Sequence, residues 1–474
     1  MLCDFYELTM GAGYFANGYT DRITYFDLFF RRCPDGGGFA IAAGLEQIVQ
    51  YIQELHFDPE DIAYLRERKC FNEDFLNYLA NFKFTGDIWA VPEGTPIFPR
   101  EPIITVRAPA IQAQLVETYL LLCVNHQSLI ATKANRVVRA AEGRTVLEFG
   151  SRRAQGADAA ILGARAAYIG GCHGTACTIS DQLYGVHAGG TMAHAWVQMF
   201  DSEYEAFKAY VKMFPNNATL LVDTYNTLKS GVPNAIRAFN EVLKPMGITK
   251  CGIRLDSGDL AYLTRKARQM LDEAGYPDCT ICASNSLDEY LIQDLLLQDA
   301  KLDSFGVGEN LITSKNEPVF GGVYKLVAIE NDNGELIPKI KLSETAQKIT
   351  TPGFKEVYRF YGRDNGKALA DYIVLAGEEV DDTKPITIFD PNDIWKKKTL
   401  TNFRAEKLQV QIFKKGVQCY TAPSLEEIRS YSAAQMDTLW DEIKRFEYPH
   451  TYYVDLSQKL WETKQRLMEE MNQQ

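Results

Sequence analysis

No stretch of this chain approaches the roughly 18 uncharged apolar residues that a membrane-spanning helix needs, so a helical membrane protein is not expected. Residues 1–13 carry Asp4 and Glu7 and no long apolar run, which is not the form of a secretory signal. The ten cysteines lack framework spacing, and Cys123, Cys251 and Cys282 sit in apolar runs where a reduced thiol acts as a small hydrophobe. Cys279 and Cys282 match C-x-x-C, but they lie along a predicted strand, where the two sulfurs do not converge as they do at a helix start. A reducing, cytoplasmic setting is expected. Positive charge is also in deficit: 50 basic residues face 62 acidic ones, a formal net charge of -12. The mean surface field then repels nucleic acid phosphates and anionic headgroups, so neither nucleic acid nor a membrane is expected as a partner. An anionic ligand would need local basic groups and backbone N–H donors. No G-x-x-x-x-G-K-[ST] segment occurs, which excludes an independent P-loop.

What is present is an ordinary globular composition, 46% apolar and 24% charged, in 474 residues, a length that outgrows a single core. Residues 23–32 read as a strand, and Pro34-Asp35-Gly36-Gly37-Gly38 as the turn after it. A helical pattern free of proline runs over 111–141. After Gly143 a regular alternation begins, of apolar strand, polar or glycine-bearing corner and amphipathic helix. The strands are predicted at 145–150, 219–223, 251–256, 280–285 and 304–308. Pro233 is placed to open one helix, and Ser286-x-x-Glu289 has the form of a capping box for another. This spacing implies parallel strands with helical crossovers. The expected fold is α/β: an irregular parallel (β/α) barrel over 143–345, packed against an N-terminal α/β domain over 1–142, with a β/helical extension over 346–474. An open doubly wound sheet is the second choice. The extension is expected to end in a helix from about 454, and Lys396-Lys397-Lys398 within it reads as a solvated face.

In such folds the residues just after the strand ends share one rim, where ligands bind. Here that rim would carry Arg152, Arg153, His194, Asp223, Arg254, Asp256, Asp259, Asn285, Gly306 and Gly308. Arg254 and Asp256, two apart on a strand, project to one side and offer a guanidinium fork beside an anion suited to hydroxyls or Mg²⁺. Asp256, Ser257 or Asp259 could equally cap the next helix. Gly306-Val307-Gly308 lets backbone N–H groups approach an anion. His194 ends the glycine-flanked segment Gly189-Gly190-Thr191-Met192-Ala193-His194, and its place at a corner of the rim makes it a catalytic candidate.

Together, Asp4-Phe5-Tyr6-Glu7-Leu8-Thr9-Met10, Glu148-Phe149-Gly150-Ser151-Arg152-Arg153, the GTMAH ending at His194, Arg254-Leu255-Asp256-Ser257-Gly258-Asp259 and the GVYKLV from 322 resemble the nicotinate phosphoribosyltransferase family, in the family's order. The resemblance implies a type II phosphoribosyltransferase that joins nicotinate to phosphoribosyl pyrophosphate at the expense of ATP. It implies a transient phosphohistidine at His194, a catalytic Asp256 and Mg²⁺ at the departing pyrophosphate. Phe149 and Tyr6 match an aromatic pair around the pyridine ring, with Tyr6 supplied by the second subunit of a homodimer. Arg254 and Thr191 match contacts to the nicotinate carboxylate. Arg152, Asp256, Asp259, Ser284, Asn285 and Gly308 match the phosphoribosyl site. Ala176 stands where nicotinamide-using relatives carry an aspartate, and its lack of an amide acceptor points to the acid as substrate. The alternatives are a nicotinamide or quinolinate phosphoribosyltransferase, or a non-catalytic nucleotide sensor.

Overall fold

The computed structural model describes residues 1–345 and 348–473. They form two compact units, Ile130–Pro318 and a discontinuous one made of Met1–Leu129 with Val319–Gln474. The three-part division expected from the sequence followed chain order, whereas strand pairing joins the two ends of the chain. Ile23–Phe29 is hydrogen bonded antiparallel to Ile104–Pro109 on one side and to Val323–Glu330 on the other, and Asp87–Ala90 pairs with Val410–Lys414. The boundary expected at 345/346 abuts residues 346 and 347, which lie outside the described residues.

In the discontinuous unit a seven-stranded sheet holds the core. Alternation along Ile23–Phe29 turns Phe26 and Leu28 into the main apolar cluster, where Ile48 and Ile52 of the helix Leu45–Glu54 meet them. Asp27 points the other way, where Lys355 Nζ at 2.8 Å and the Thr105 hydroxyl at 2.8 Å satisfy the buried carboxylate. A second sheet of four strands carries the buried Arg359–Asp371 fork. The final helix is Gln458–Asn472; its approach, Val454–Leu456, is a strand parallel to Ala368–Leu375, and Ser457 caps the helix. The helical pattern of 111–141 is two helices, Ala110–Leu115 and Glu117–Ala140.

The continuous unit is built on six parallel strands: β1 (Thr145–Glu148), β2 (Gly174–Thr175), β3 (Thr219–Leu221), β4 (Gly252–Leu255), β5 (Thr280–Ser284) and β6 (Ser304–Val307). Their order, β2-β1-β6-β5-β4-β3, returns the last strand to the first, as in a barrel. Among the described residues no ladder joins β2 to β3, so the ring is irregular at that point, and residues 176–218 run between the two strands. Ala157–Ile169, the helical stretch of 227–246, Leu260–Glu273 and Glu289–Leu297 supply the other crossovers. Pro233 does sit in the first turn of Val232–Ala238, inside that longer helical stretch. The capping box expected at Ser286 is replaced: Asp288 caps Leu291 N at 2.8 Å, because buried Glu289 is drawn inward to Lys133 and Arg136 at 2.9 and 2.7 Å. The cysteines form no disulfide among the described residues. No helix among the described residues is long and apolar enough to cross a membrane.

Glu7, fully buried on the helix Phe5–Ala16, accepts from Thr118 N at 3.2 Å and Thr118 Oγ1 at 2.5 Å, while its Oε2 has no hydrogen-bond partner among the described residues. Burial pushes its carboxyl up to about 7; the Thr118 bonds restrain the rise and Glu117 adds to it. Between the ordinary value of 4.5 and about 7 the unfolded chain releases this proton while the folded chain keeps it, so stability falls as pH rises through that window. In Glu7→Gln the drop in melting temperature between pH 4.5 and pH 8 should be smaller than in the unaltered protein. Equal drops would show that Glu7 does not carry this dependence.

Candidate active site

A cavity of about 740 Å³ opens at the carboxyl ends of the parallel strands, where corner residues from successive strands converge. The corner after β1 brings Phe149, whose N–H donates to Val307 O at 2.8 Å on neighbouring β6. Its ring lies against Gly306, where an added Cβ would stand 2.4 Å from a ring carbon. Glycine at 306 is therefore what lets the aromatic ring reach the cavity. The corner after β5 holds Asn285 and Ser286 with φ of 91° and 52°. Two consecutive non-glycine residues in the left-handed region are the kind of strain found where backbone is shaped for a ligand.

His194 is the first residue of the short helix His194–Gln198, in the segment that interrupts the ring between β2 and β3. Its Nδ1 is 3.1 Å from Thr224 Oγ1. Its Nε2 lies 4.0 Å from Asp223 Oδ1 and 3.9 Å from Asp256 Oδ2. Asp223 is almost fully buried: Oδ2 accepts from Asp256 N at 2.8 Å and Ser257 Oγ at 2.6 Å, while Oδ1 has no hydrogen-bond partner among the described residues. A buried carboxylate oxygen left unpaired is costly. Here it faces the imidazole. Asp256 Oδ1 in turn accepts from Ser284 Oγ at 2.5 Å. Arg254 donates to Met192 O at 2.8 Å and Thr191 Oγ1 at 3.3 Å, which ties the glycine-flanked segment to β4, and its buried Nε has no hydrogen-bond partner among the described residues.

Phe149, Arg152, Thr191, His194, Arg254, Asp256, Ser284, Asn285 and Gly308 all line this cavity, and so does Ala176. Asp259 does not; it is exposed and caps the helix Leu260–Glu273 by accepting from Tyr262 N at 3.0 Å. Tyr6 belongs to the discontinuous unit, where it is 44% exposed, and is not among the lining residues. Three guanidinium groups, those of Arg152, Arg153 and Arg254, line the cavity against the carboxylates of Asp256 and Glu309. The cavity thus gathers cationic donors for an anion in an acidic chain. Ser151, whose buried Oγ has no hydrogen-bond partner among the described residues, and Thr224 were not singled out as site residues from the sequence. Ser151 lies inside the Glu148–Arg153 motif and could have been found there, whereas Thr224 had no local signal beyond its corner.

An arginine-lined cavity at the strand ends of a parallel α/β sheet, with a histidine within 4.0 Å of two carboxylates, suits phosphorylated substrates. Residues 1–125 match the nicotinate phosphoribosyltransferase N-terminal domain, 145–376 the nicotinate phosphoribosyltransferase family and 354–464 the C-terminal domain. The nicotinate phosphoribosyltransferase of Bacillus subtilis is 44% identical over 470 residues, 99% of this chain and 95% of that one. The crystal structure of human nicotinic acid phosphoribosyltransferase superposes with a TM-score of 0.86 at 29% identity, covering 99% of this chain and 100% of the human one. A nicotinate-nucleotide pyrophosphorylase from Pyrococcus furiosus shares the fold, with a TM-score of 0.71 at 24% identity over 92% of this chain and 95% of that one. The chain belongs to the nicotinate phosphoribosyltransferase family, and it is an enzyme.

Asp223→Asn keeps an oxygen for Asp256 N and Ser257 but removes the charge facing His194. Turnover should fall by roughly 100-fold, the scale of a lost acid–base or orienting partner, with the melting temperature little changed. Unaltered turnover would leave Asp223 a purely structural residue.

Proposed function

We propose that the chain transfers phosphoribose from phosphoribosyl pyrophosphate to nicotinate, giving nicotinate mononucleotide and pyrophosphate, the first step of NAD salvage from nicotinate. The transfer is coupled to ATP through a transient phosphohistidine at His194. The observation that carries this reading is the setting of the imidazole: Nδ1 is held by Thr224, and Nε2 stands between Asp223 and Asp256 at the cavity. The reactive tautomer donates Nδ1–H to Thr224 Oγ1 and keeps the Nε2 lone pair free. Nε2 attacks the γ-phosphorus of ATP, an N–P bond forms, the P–O bond to ADP breaks, and water later releases inorganic phosphate from the ring. The added charge reorganises neighbouring groups and so couples ATP to substrate binding.

In the transfer itself the nicotinate ring nitrogen bonds to ribose C1 as the bond from C1 to the pyrophosphate oxygen breaks. Phe149 stacks on the pyridine ring, Arg254 and Thr191 meet the carboxylate, and the Asp256 carboxylate offsets the positive charge that develops at C1. Arg152, Ser284, Asn285 and Gly308 hold the phosphoribosyl group, and Asp259 orders its corner from outside the lining. Mg²⁺ is usually bound by one or two protein carboxylates together with phosphate oxygens. Asp223 Oδ1, which has no hydrogen-bond partner among the described residues, and Asp256 Oδ2 would hold it; the two oxygens lie 4.0 and 3.9 Å from His194 Nε2. Bound there, it would neutralise the departing pyrophosphate.

The acid is favoured over the amide by Ala176, which lines the cavity and offers no side-chain acceptor to an amide N–H. A sensor would have no need of a phosphate-accepting histidine. The exposed Leu2, Phe5, Tyr6 and Met10 support a homodimer in which Tyr6 completes the partner's ring site, and cysteines buried in apolar runs, such as Cys251 and Cys282, suit a reducing cytoplasm.

His194→Ala should abolish ATP-stimulated formation of nicotinate mononucleotide while slow, ATP-independent transfer persists; full ATP stimulation in the variant would remove the phosphohistidine. Arg254→Ala should raise the KM for nicotinate far more than that for phosphoribosyl pyrophosphate, measured by initial rates with nicotinate, nicotinamide and quinolinate compared. Equal changes in both KM values would end its role as carboxylate clamp.

A further inference from the structure

Glu148, the last residue of β1, is fully buried, and no ion pair to its carboxylate is present among the described residues. Burial raises its pKa, which the bonds from Thr175 and Gly150 restrain. Both oxygens are engaged as acceptors, Oε1 from Gly150 N and Oε2 from Thr175 Oγ1 at 2.6 Å. Thr175 Oγ1 accepts in turn from Cys177 N at 2.9 Å, and Ala176 N donates to the main-chain oxygen of Glu148 at 2.8 Å. One acidic residue therefore joins the corner after β1 to the corner after β2. Each corner places one residue on the cavity wall, Phe149 from the first and Ala176 from the second. Gly150 is bound to this arrangement too, because a Cβ there would stand 2.5 Å from Ile312 and 2.7 Å from Glu148 Oε1.

We infer that Glu148 is a positioning residue for substrate selection: through Thr175 it sets the distance between the Phe149 ring and Ala176, and with it the slot that admits nicotinate over nicotinamide. The inference rests on the proposed function, since it concerns the ring site of that reaction. Glutamine is the informative replacement. Gly150 N–H can only donate, so the amide oxygen must turn to it, and the amide NH₂ then faces Thr175 Oγ1. That hydroxyl can accept a second bond only by losing the acceptor for its own proton. Glu148→Gln thus keeps the Phe149 arm and weakens the Ala176 arm.

The test is steady-state kinetics of the full chain with Glu148→Gln, Thr175→Val and the double variant, each checked by thermal unfolding. Expected is about a tenfold fall in the nicotinate-to-nicotinamide ratio of kcat/KM, carried by the KM for nicotinate, with the KM for phosphoribosyl pyrophosphate within about twofold; a tenfold change is the size of one modest pocket contact. The double variant should be no worse than Thr175→Val alone, because the Glu148–Thr175 bond that Glu148→Gln weakens is already absent there. A melting temperature that falls with the selectivity unchanged, equal shifts in both KM values, or additive effects of the two substitutions would each overturn the inference. If the unaltered protein makes no mononucleotide from nicotinate, the proposed function fails and this inference with it, a result distinct from an active protein whose variants keep their selectivity.

Discussion

The parallel pairing of Ser304–Val307 with Thr145–Glu148 is the constraint on which the site depends. It returns the last strand of the continuous unit to the first, so that corners far apart in the chain meet on one rim. It also sets Gly306 beneath the Phe149 ring and gives Phe149 N–H its acceptor at Val307. Parallel strands cannot be neighbours without a crossover, and each crossover delivers its corner to the same end of the sheet. The gap in the ring, between Gly174–Thr175 and Thr219–Leu221, is where the chain departs from regularity, and His194 lies in the segment that spans it.

Electrostatics at the rim runs against the charge of the chain. A net charge of -12 would hold anionic substrates away, yet Arg152, Arg153 and Arg254 line one cavity. The opposing carboxylates are confined by hydrogen bonds: Asp223 by Asp256 N and Ser257, Asp256 by Ser284. Only the oxygens turned toward His194 remain open, Asp223 Oδ1 without a partner among the described residues and Asp256 Oδ2 at 3.9 Å from the ring. Buried unpaired polar atoms are rare in folded proteins because they forfeit hydration. Here such an atom faces the catalytic candidate, where a substrate, a proton or a cation can supply the missing partner.

Much of the continuous unit is legible in the amino-acid sequence. All five strands expected there are present, since apolar runs bounded by polar corners are local signals. Gly174–Thr175 is invisible at that level because two residues carry no periodicity. Ser286 and Glu289 have the right letters for a capping box, but two buried cations draw Glu289 inward and Asp288 takes the cap. Asp259 and Asp223 exchange emphasis in the same way. Each follows a strand end; one is a helix cap facing solvent and the other a buried carboxylate facing His194, a difference decided by what packs above each corner.

By itself the amino-acid sequence determined the α/β class, the strand and corner positions, the motifs of the family and most of the cavity lining, because side-chain periodicity and corner chemistry act over a few residues. Tertiary structure alone decided that the two ends of the chain form one unit, that Asp223 bonds the corner of Asp256, that Thr224 holds His194 and that Glu148 joins two corners. Those outcomes depend on which strands become neighbours and which carboxylates lose water. Both are set by pairing and burial between distant segments, and no local pattern encodes them.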